Sequence, residues 1–140
     1  MIKEFEGLKK RNFCKELNKK FYKHGEQTTC VMDMGIPMDF DLVSLVYHPI
    51  RKKYPNVTMT SSGLIFTVTG TCHPSGGDSY DEKKGKTIAY SKCQKKAYSL
   101  TSRVLNRVSN ELAKLSAHYE KAAAFMMMAS DREDNFLNSL

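Results

Sequence analysis

The sequence lacks several features that would assign the protein to a class directly. It has no tryptophan and only four prolines among 140 residues. No apolar run approaches the ~20 residues that a membrane span requires, and residues 1–5 lack the apolar core of a signal peptide. We therefore expect no membrane partner and a cytoplasmic location. The length, with 41% hydrophobic and 26% charged residues, predicts a single globular domain over residues 1–140.

Paired metal ligands are also missing. Zinc sites usually carry ligands two to four residues apart, and the sequence has no Cys-x-x-Cys or His-x₃-His pair. We therefore predict no metal and no cofactor, with all four cysteines reduced in the cytosol. Cys72 beside His73 has no evident orienting acid or oxyanion hole, and Ser75-Gly76-Gly77 lacks the Lys-Ser/Thr of a phosphate loop. A small enzyme is therefore the least supported class. The cysteines are Cys14, Cys30, Cys72 and Cys93.

Acidic residues are scarce in the second half of the chain. Between Lys83 and Lys121 there are ten Lys or Arg residues, against only Glu111 and Glu120. Five of the basic residues follow one another at steps of four and seven, which places them on a narrow arc of one helix, in a row roughly 33 Å long. This predicts a basic surface for a polyanion, although solvation of an exposed helix face is the plain alternative. The five are Lys92, Lys96, Arg103, Arg107 and Lys114.

The charge along the rest of the chain is uneven. The net charge is +7, but two basic segments, residues 1–24 and 83–121, flank an acidic segment at residues 25–82. Such a distribution favours an acidic partner, either nucleic acid or a nucleoprotein. Arg51, Lys52 and Lys53 are expected to extend the basic binding surface from a loop.

The first half of the chain predicts a helix followed by a β-rich part. Residues 1–25 are interpreted as an N-terminal helix, because Phe13, Leu17 and Phe21 recur every four residues and Gly25 can end a helix. Residues 26–72 form the β-rich part, with a weak strand over residues 27–34. Within it, residues 42–47 suit a helical turn or a buried strand equally well. Asp39 can cap this segment and His48-Pro49 ends it.

The clearest strand signal comes next. Residues 57–60 and 64–70 are rich in β-branched and aromatic residues and predict a hairpin across residues 61–63. Ile65, Thr67 and Thr69 alternate with apolar neighbours, so we expect one face of this sheet to be polar and solvated.

A loop and a long helix complete the predicted organisation. Residues 73–85 are predicted to form the loop, residues 86–129 a long amphipathic helix and residues 130–140 a tail. The helix can break near residues 99–102 or 109–110, where Ser and Asn compete with helix hydrogen bonds. The predicted fold class is α+β: a small antiparallel β-sheet with an N-terminal helix and a long C-terminal amphipathic helix, continuous or broken.

The rear of that helix carries an unusual apolar run. A helix of this length exceeds what a small sheet can cover, so its apolar stripe is expected to self-associate or to dock on a partner. The alternative is that the helix bends back near Ser109-Asn110 and buries the run in the core. The predicted self-association residues are Leu112, Leu115, Tyr119, Phe125, Met126, Met127 and Met128.

A motif lies between the hairpin and the long helix. It consists of Gly70-Thr71-Cys72-His73-Pro74, then Asp78-Ser79-Tyr80-Asp81, Gly85 and Ile88-Ala89. The motif resembles a strand–loop–helix signature of many small, mostly uncharacterised proteins of bacteriophages and prophages. Tyr80 stands where that signature has Phe, Gly76-Gly77 lengthens the gap, and Lys92 replaces an arginine. The resemblance covers about residues 64–98 and implies a phage-type origin and a fold, but no reaction.

Three functional classes follow. The leading prediction is a phage counter-defence protein of the anti-CRISPR kind, which acts non-enzymatically by binding a host nucleoprotein through the basic helix, in the host cytoplasm. The second is a phage accessory protein that binds DNA or RNA directly through phosphate contacts. The third is a small enzyme. A homodimer is compatible with the first two.

Overall fold

The computed structural model describes residues 3–73 and 81–140, which form a four-stranded antiparallel sheet with two helices. The strand order is β1-β2-β4-β3. This confirms the α+β class, the antiparallel sheet and the long C-terminal helix. The main elements are β1 (Lys15–His24), β2 (Gln27–Pro37), α1 (Phe40–Lys53), β3 (Thr58–Thr60), β4 (Gly63–Cys72) and α2 (Glu82–Asn138).

The predicted N-terminal helix over residues 1–25 is wrong. Two 3₁₀ turns, Lys3–Phe5 and Lys10–Asn12, precede strand β1, which pairs with β2 along nearly its whole length. The four-residue spacing misled because Phe13 precedes the strand, and a register shift between Glu16 and Asn18 places Leu17 beside Ile65 on the outer face of the sheet while Phe21 packs against the core. Gly25 has a φ of +61° and lies with Glu26 in the two-residue turn of the β1–β2 hairpin, so it reverses a strand instead of ending a helix.

The two central strands carry the core face of the sheet. Their inward residues alternate with outward ones, and the inward set includes Met32 and Met34 on β2 and Phe66 and Val68 on β4. Strand β2 confirms the strand predicted at residues 27–34, and the antiparallel pairing of β3 with β4 confirms the predicted hairpin. On the other face Thr67 and Thr69 are exposed, which confirms the polar face.

The segment that suited either a helix or a strand is helix α1. Asp39 caps it by accepting a hydrogen bond from the Asp41 N–H at 2.9 Å. The predicted end at His48-Pro49 is wrong, because Pro49 lies inside the helix, and residues 51–53 form its last turn instead of a loop. Val46 and Ile50, buried on either side of the proline, hold the helix against the core.

Helix α2 is continuous over 57 residues, without the predicted break, and is therefore about 85 Å long. It extends beyond the predicted 86–129 at both ends, so the predicted tail at residues 130–140 is mostly helix. The Asp81 carboxylate caps it by accepting hydrogen bonds from the N–H groups of Lys83 and Lys84 at 3.0 and 3.2 Å. Asp78 and Tyr80 of the phage-like motif lie outside the described residues.

A close backbone contact sets where α2 lies on the sheet. A Cβ atom at Gly70 of β4 would approach the Ala89 carbonyl oxygen and the Cys93 nitrogen to 2.5 Å. Only glycine permits this approach, because both atoms belong to the helix backbone. The contact places α2 against the core face of the sheet, over β4 and β2. The fully buried face of α2 continues through Ala97 and Val104.

Candidate nucleic-acid interface

The outer edge of β4 is only partly covered. Strand β3 pairs with residues 63–65 of β4, and no other described strand pairs on that side with residues 66–72. Unpaired strand edges present backbone hydrogen-bonding groups and are usually protected by charge or by a neighbouring segment. Here Lys92 of α2 reaches down, and its Nζ donates a hydrogen bond to the Thr71 carbonyl oxygen at 3.0 Å.

A groove of about 690 Å³ runs between this open edge and α2. Its floor comes from the end of β4 and its wall from the basic side of the helix. Arg103 also borders a second hollow of about 390 Å³, which the C-terminal end of α1 closes. We call the two hollows together the basic groove. Its lining residues are Val68, Gly70, Thr71, His73, Lys92, Lys95, Lys96, Ser99, Leu100, Arg103, Asn106, Arg107, Asn110, Lys53 and Tyr54.

The lining is strongly cationic. Six of these residues are Lys or Arg, and none of the described lining residues is acidic. The Ser99, Asn106 and Asn110 side chains add neutral hydrogen-bonding groups between the cations. Such a line of positive charge with polar side chains suits an extended anion better than a single small one.

The structure brings most of the predicted binding residues together. Lys92, Lys96, Arg103 and Arg107 lie in one row along the groove, as their spacing on α2 requires. Lys53 joins them from α1, close to Arg103 and Arg107. Arg51 and Lys52 are exposed on the same turn of α1 but are outside the described lining.

Two of the predicted cations are partly neutralised. Arg107 Nη2 and Lys114 Nζ both contact Glu111 Oε1, at 3.1 and 3.4 Å. Lys114 is outside the described lining of the groove. These contacts lower the positive potential locally, since the Glu111 carboxylate is shared by both cations. The charge available to a ligand therefore concentrates at the end of the groove nearer β4.

Arg107 has a second notable feature. Its Nε atom is buried and has no hydrogen-bond partner among the described residues. A buried donor without an acceptor is costly.

Sequence reasoning missed Lys95. It lies outside the narrow arc of the five predicted residues, yet it lines the groove beside Lys92 and Lys96. The arc was defined by the helix alone, whereas the position of the β4 edge decides which side of α2 faces the groove. The excess of ten basic residues over two acidic ones in residues 83–121 was the only signal for it.

The cysteines lie in the protein interior. All four are buried and free. Burial raises the pKa of Cys14 and Cys93, and burial together with the neighbouring Cys93 raises the pKa of Cys30 to about 12. The Cys93 thiol contacts the carbonyl oxygens of Val68 and Cys30 at 3.3 and 3.5 Å. Thiols in this state are poor nucleophiles at neutral pH. Residues 3–73 and 81–140 contain no group of three or more His, Cys, Asp or Glu side chains that could hold a metal ion.

The predicted self-association residues divide into two groups. Leu112 is partly buried against the core, and Leu115 is partly buried. Tyr119 is 66% exposed, and residues 125–128 are 55–63% exposed. The alternative in which the helix bends back at Ser109-Asn110 is wrong, because α2 continues through both residues and leaves the run uncovered.

Among the described helices, none has the length and apolarity to cross a membrane. Comparison of the chain with protein-family models, with curated proteins and with solved structures found no match. The basic groove is therefore the feature of the described residues from which a function can be inferred.

Proposed function

We propose that this protein binds nucleic acid without catalysing a reaction, through phosphate contacts in the basic groove. The observation that supports the proposal is the line of cations between the open edge of β4 and α2, with no acidic residue among its described lining. A polyanion in this groove releases condensed counterions, which is the main source of affinity in such complexes.

The cations have different roles in this proposal. Lys95, Lys96 and Arg103 are exposed, and none has a carboxylate partner among the described ion pairs, so they provide most of the charge. Lys92 already binds the edge of β4 and keeps its charge at the groove floor. Contacts of this type fix a phosphate backbone and carry little sequence information, so we expect weak sequence preference.

A host nucleoprotein is the second candidate partner. The same groove would then bind its nucleic-acid component. The counter-defence role and the phage origin depend on the motif at residues 70–89 and stay predictions. The cytoplasmic location also stays a prediction.

The first test is the salt dependence of binding. We expect the affinity for a labelled DNA or RNA oligonucleotide to fall about a hundredfold when the salt concentration rises fourfold, if about four phosphates are neutralised. Replacing Lys95, Lys96 and Arg103 by Glu should lower the affinity at low salt by about a hundredfold or more and make its decline with salt shallower. Fluorescence anisotropy over a salt series measures both effects.

A matched control separates the groove from the net charge. Lys3, Lys9 and Lys20 are exposed on the N-terminal part of the chain, and their replacement by Glu changes the total charge by the same amount. We expect this control variant to keep most of the affinity. Equal loss in both variants, with unchanged thermal unfolding, would show that the overall charge is responsible and would contradict the proposal.

A further inference from the structure

The rear of α2 is apolar around its whole circumference. Residues 122–129 read Ala-Ala-Ala-Phe-Met-Met-Met-Ala, which is more than two helical turns without a polar side chain. Phe125 and the three methionines are 55–63% exposed. A helix segment that is apolar on every side is normally enclosed by other protein. The run is about 12 Å long, far short of the ~30 Å that a membrane span needs.

The spacing of the apolar residues indicates what kind of element covers it. From residue 112 to the C-terminus they alternate at steps of three and four, which is the pattern of a helix that packs along another helix. One acidic residue, Glu133, interrupts the pattern. The seam residues are Leu112, Leu115, Tyr119, Ala122, Met126, Ala129, Glu133, Phe136 and Leu140.

The charges on either side of the apolar run indicate the direction of that helix. The part before it carries Lys114, Lys121 and Glu120 and is net positive. The part after it, residues 131–134, contains three acids and one arginine and is net negative. Two parallel copies would place acidic parts side by side, whereas an antiparallel copy would place each acidic part against a basic one.

We propose that residues 112–140 form a self-association helix that packs antiparallel against the same segment of a second copy. The self-association helix of each copy covers the apolar run of the other, and the acidic part of each copy lies against the basic part of the other. Because the run is apolar on all sides, two such pairs can also bury against one another as a dimer of dimers. The proposal is independent of nucleic-acid binding, since the tail lies beyond the basic groove.

The mass in solution tests the association. Sedimentation equilibrium should give a dimer or a dimer of dimers of the 15.9 kDa chain. Replacing Met126 and Phe125 by Glu should shift the protein to the monomer. Leu45→Glu is the matched control, because Leu45 is 64% exposed on α1, away from the tail, and this variant should keep the wild-type mass. A wild-type monomer throughout the micromolar range would overturn the proposal.

The direction of packing needs a second measurement. Tyr119→Cys and Glu133→Cys each place one thiol on the seam seven residues from Met126, one before it and one after it. An antiparallel pair centred on Met126 predicts that oxidation of a mixture gives mainly the disulfide between the two different variants. Predominant 119–119 and 133–133 disulfides would show parallel packing and overturn the proposal. The unmodified protein provides the background, because its four cysteines are buried.

Discussion

The thiol of Cys30 lies in the contact between the sheet and α2, fully buried and next to Cys93. At neutral pH this location favours the protonated form, which is why the pKa of Cys30 rises from 9.0 to about 12. The pKa of Tyr90 rises from 10.0 to about 12, first because its hydroxyl donates a 2.7 Å hydrogen bond to Glu16 and then because of burial. Both groups keep their protons in the folded protein at pH values where the unfolded chain loses them.

This difference predicts a loss of stability in alkaline solution. Above pH 9 the unfolded state binds fewer protons than the folded state, so the free energy of unfolding should fall as the pH rises from about 9 towards 12. Urea unfolding at pH 7.5, 9.0 and 10.5 measures the trend. Cys30→Ala lowers stability at every pH but should make the decline shallower. A free energy of unfolding that stays constant over this range would contradict the pKa argument.

At the scale of elements, the approach of α2 to β4 depends on Gly70. An alanine there would push its Cβ to 2.5 Å from two backbone atoms of α2, and neither atom can move alone. We therefore expect Gly70→Ala to lower the free energy of unfolding by roughly 1–3 kcal/mol, as for other overpacked core positions.

Gly35→Ala is the matched control on the neighbouring strand. Its Cβ would lie 3.3 Å from the Leu17 side chain, which can rotate away. We expect a cost below about 1 kcal/mol in the same urea titration. Equal effects of the two substitutions would show that α2 shifts on the sheet to accommodate the added methyl group. This result would contradict the role of Gly70 in fixing the position of the basic groove.

The elements differ in how far the sequence predicts them. Helix α2 was predictable because its apolar face repeats at helical spacing over many turns, and four of the five residues in its predicted basic row line the basic groove. Strand β1 was not predictable from the spacing of Leu17 and Phe21, because a β-bulge places these two side chains on opposite faces of the sheet and only the pairing with β2 defines the strand. Lys53 was predicted as part of the basic surface, but its position beside Arg103 and Arg107 comes from the packing of α1 against α2. Lys95 was missed, because it joins the site only through the packing of α2 against β4. Both contacts are tertiary, so no local pattern contains them.

For the molecule as a whole, α2 joins two regions of different stability. Residues 89–108 include the buried face of the helix, whereas residues 113–138 have little contact with the domain. We expect slow amide hydrogen exchange in the first region and fast exchange in the second at low protein concentration. Exchange in residues 113–138 should slow as the concentration rises, because association would protect them. Uniformly slow exchange at the lowest concentration would contradict this division.

The length of α2 also determines how the molecule moves through solvent. A compact domain of this size has a radius of gyration near 14 Å, but the helix is about 85 Å long. The monomer therefore experiences more friction than a sphere of equal mass and tumbles more slowly about axes perpendicular to the helix. Its elution from a sizing column will imitate that of a larger protein. Spin relaxation of α2 amides will depend on the angle between the helix and the axis of fastest rotation.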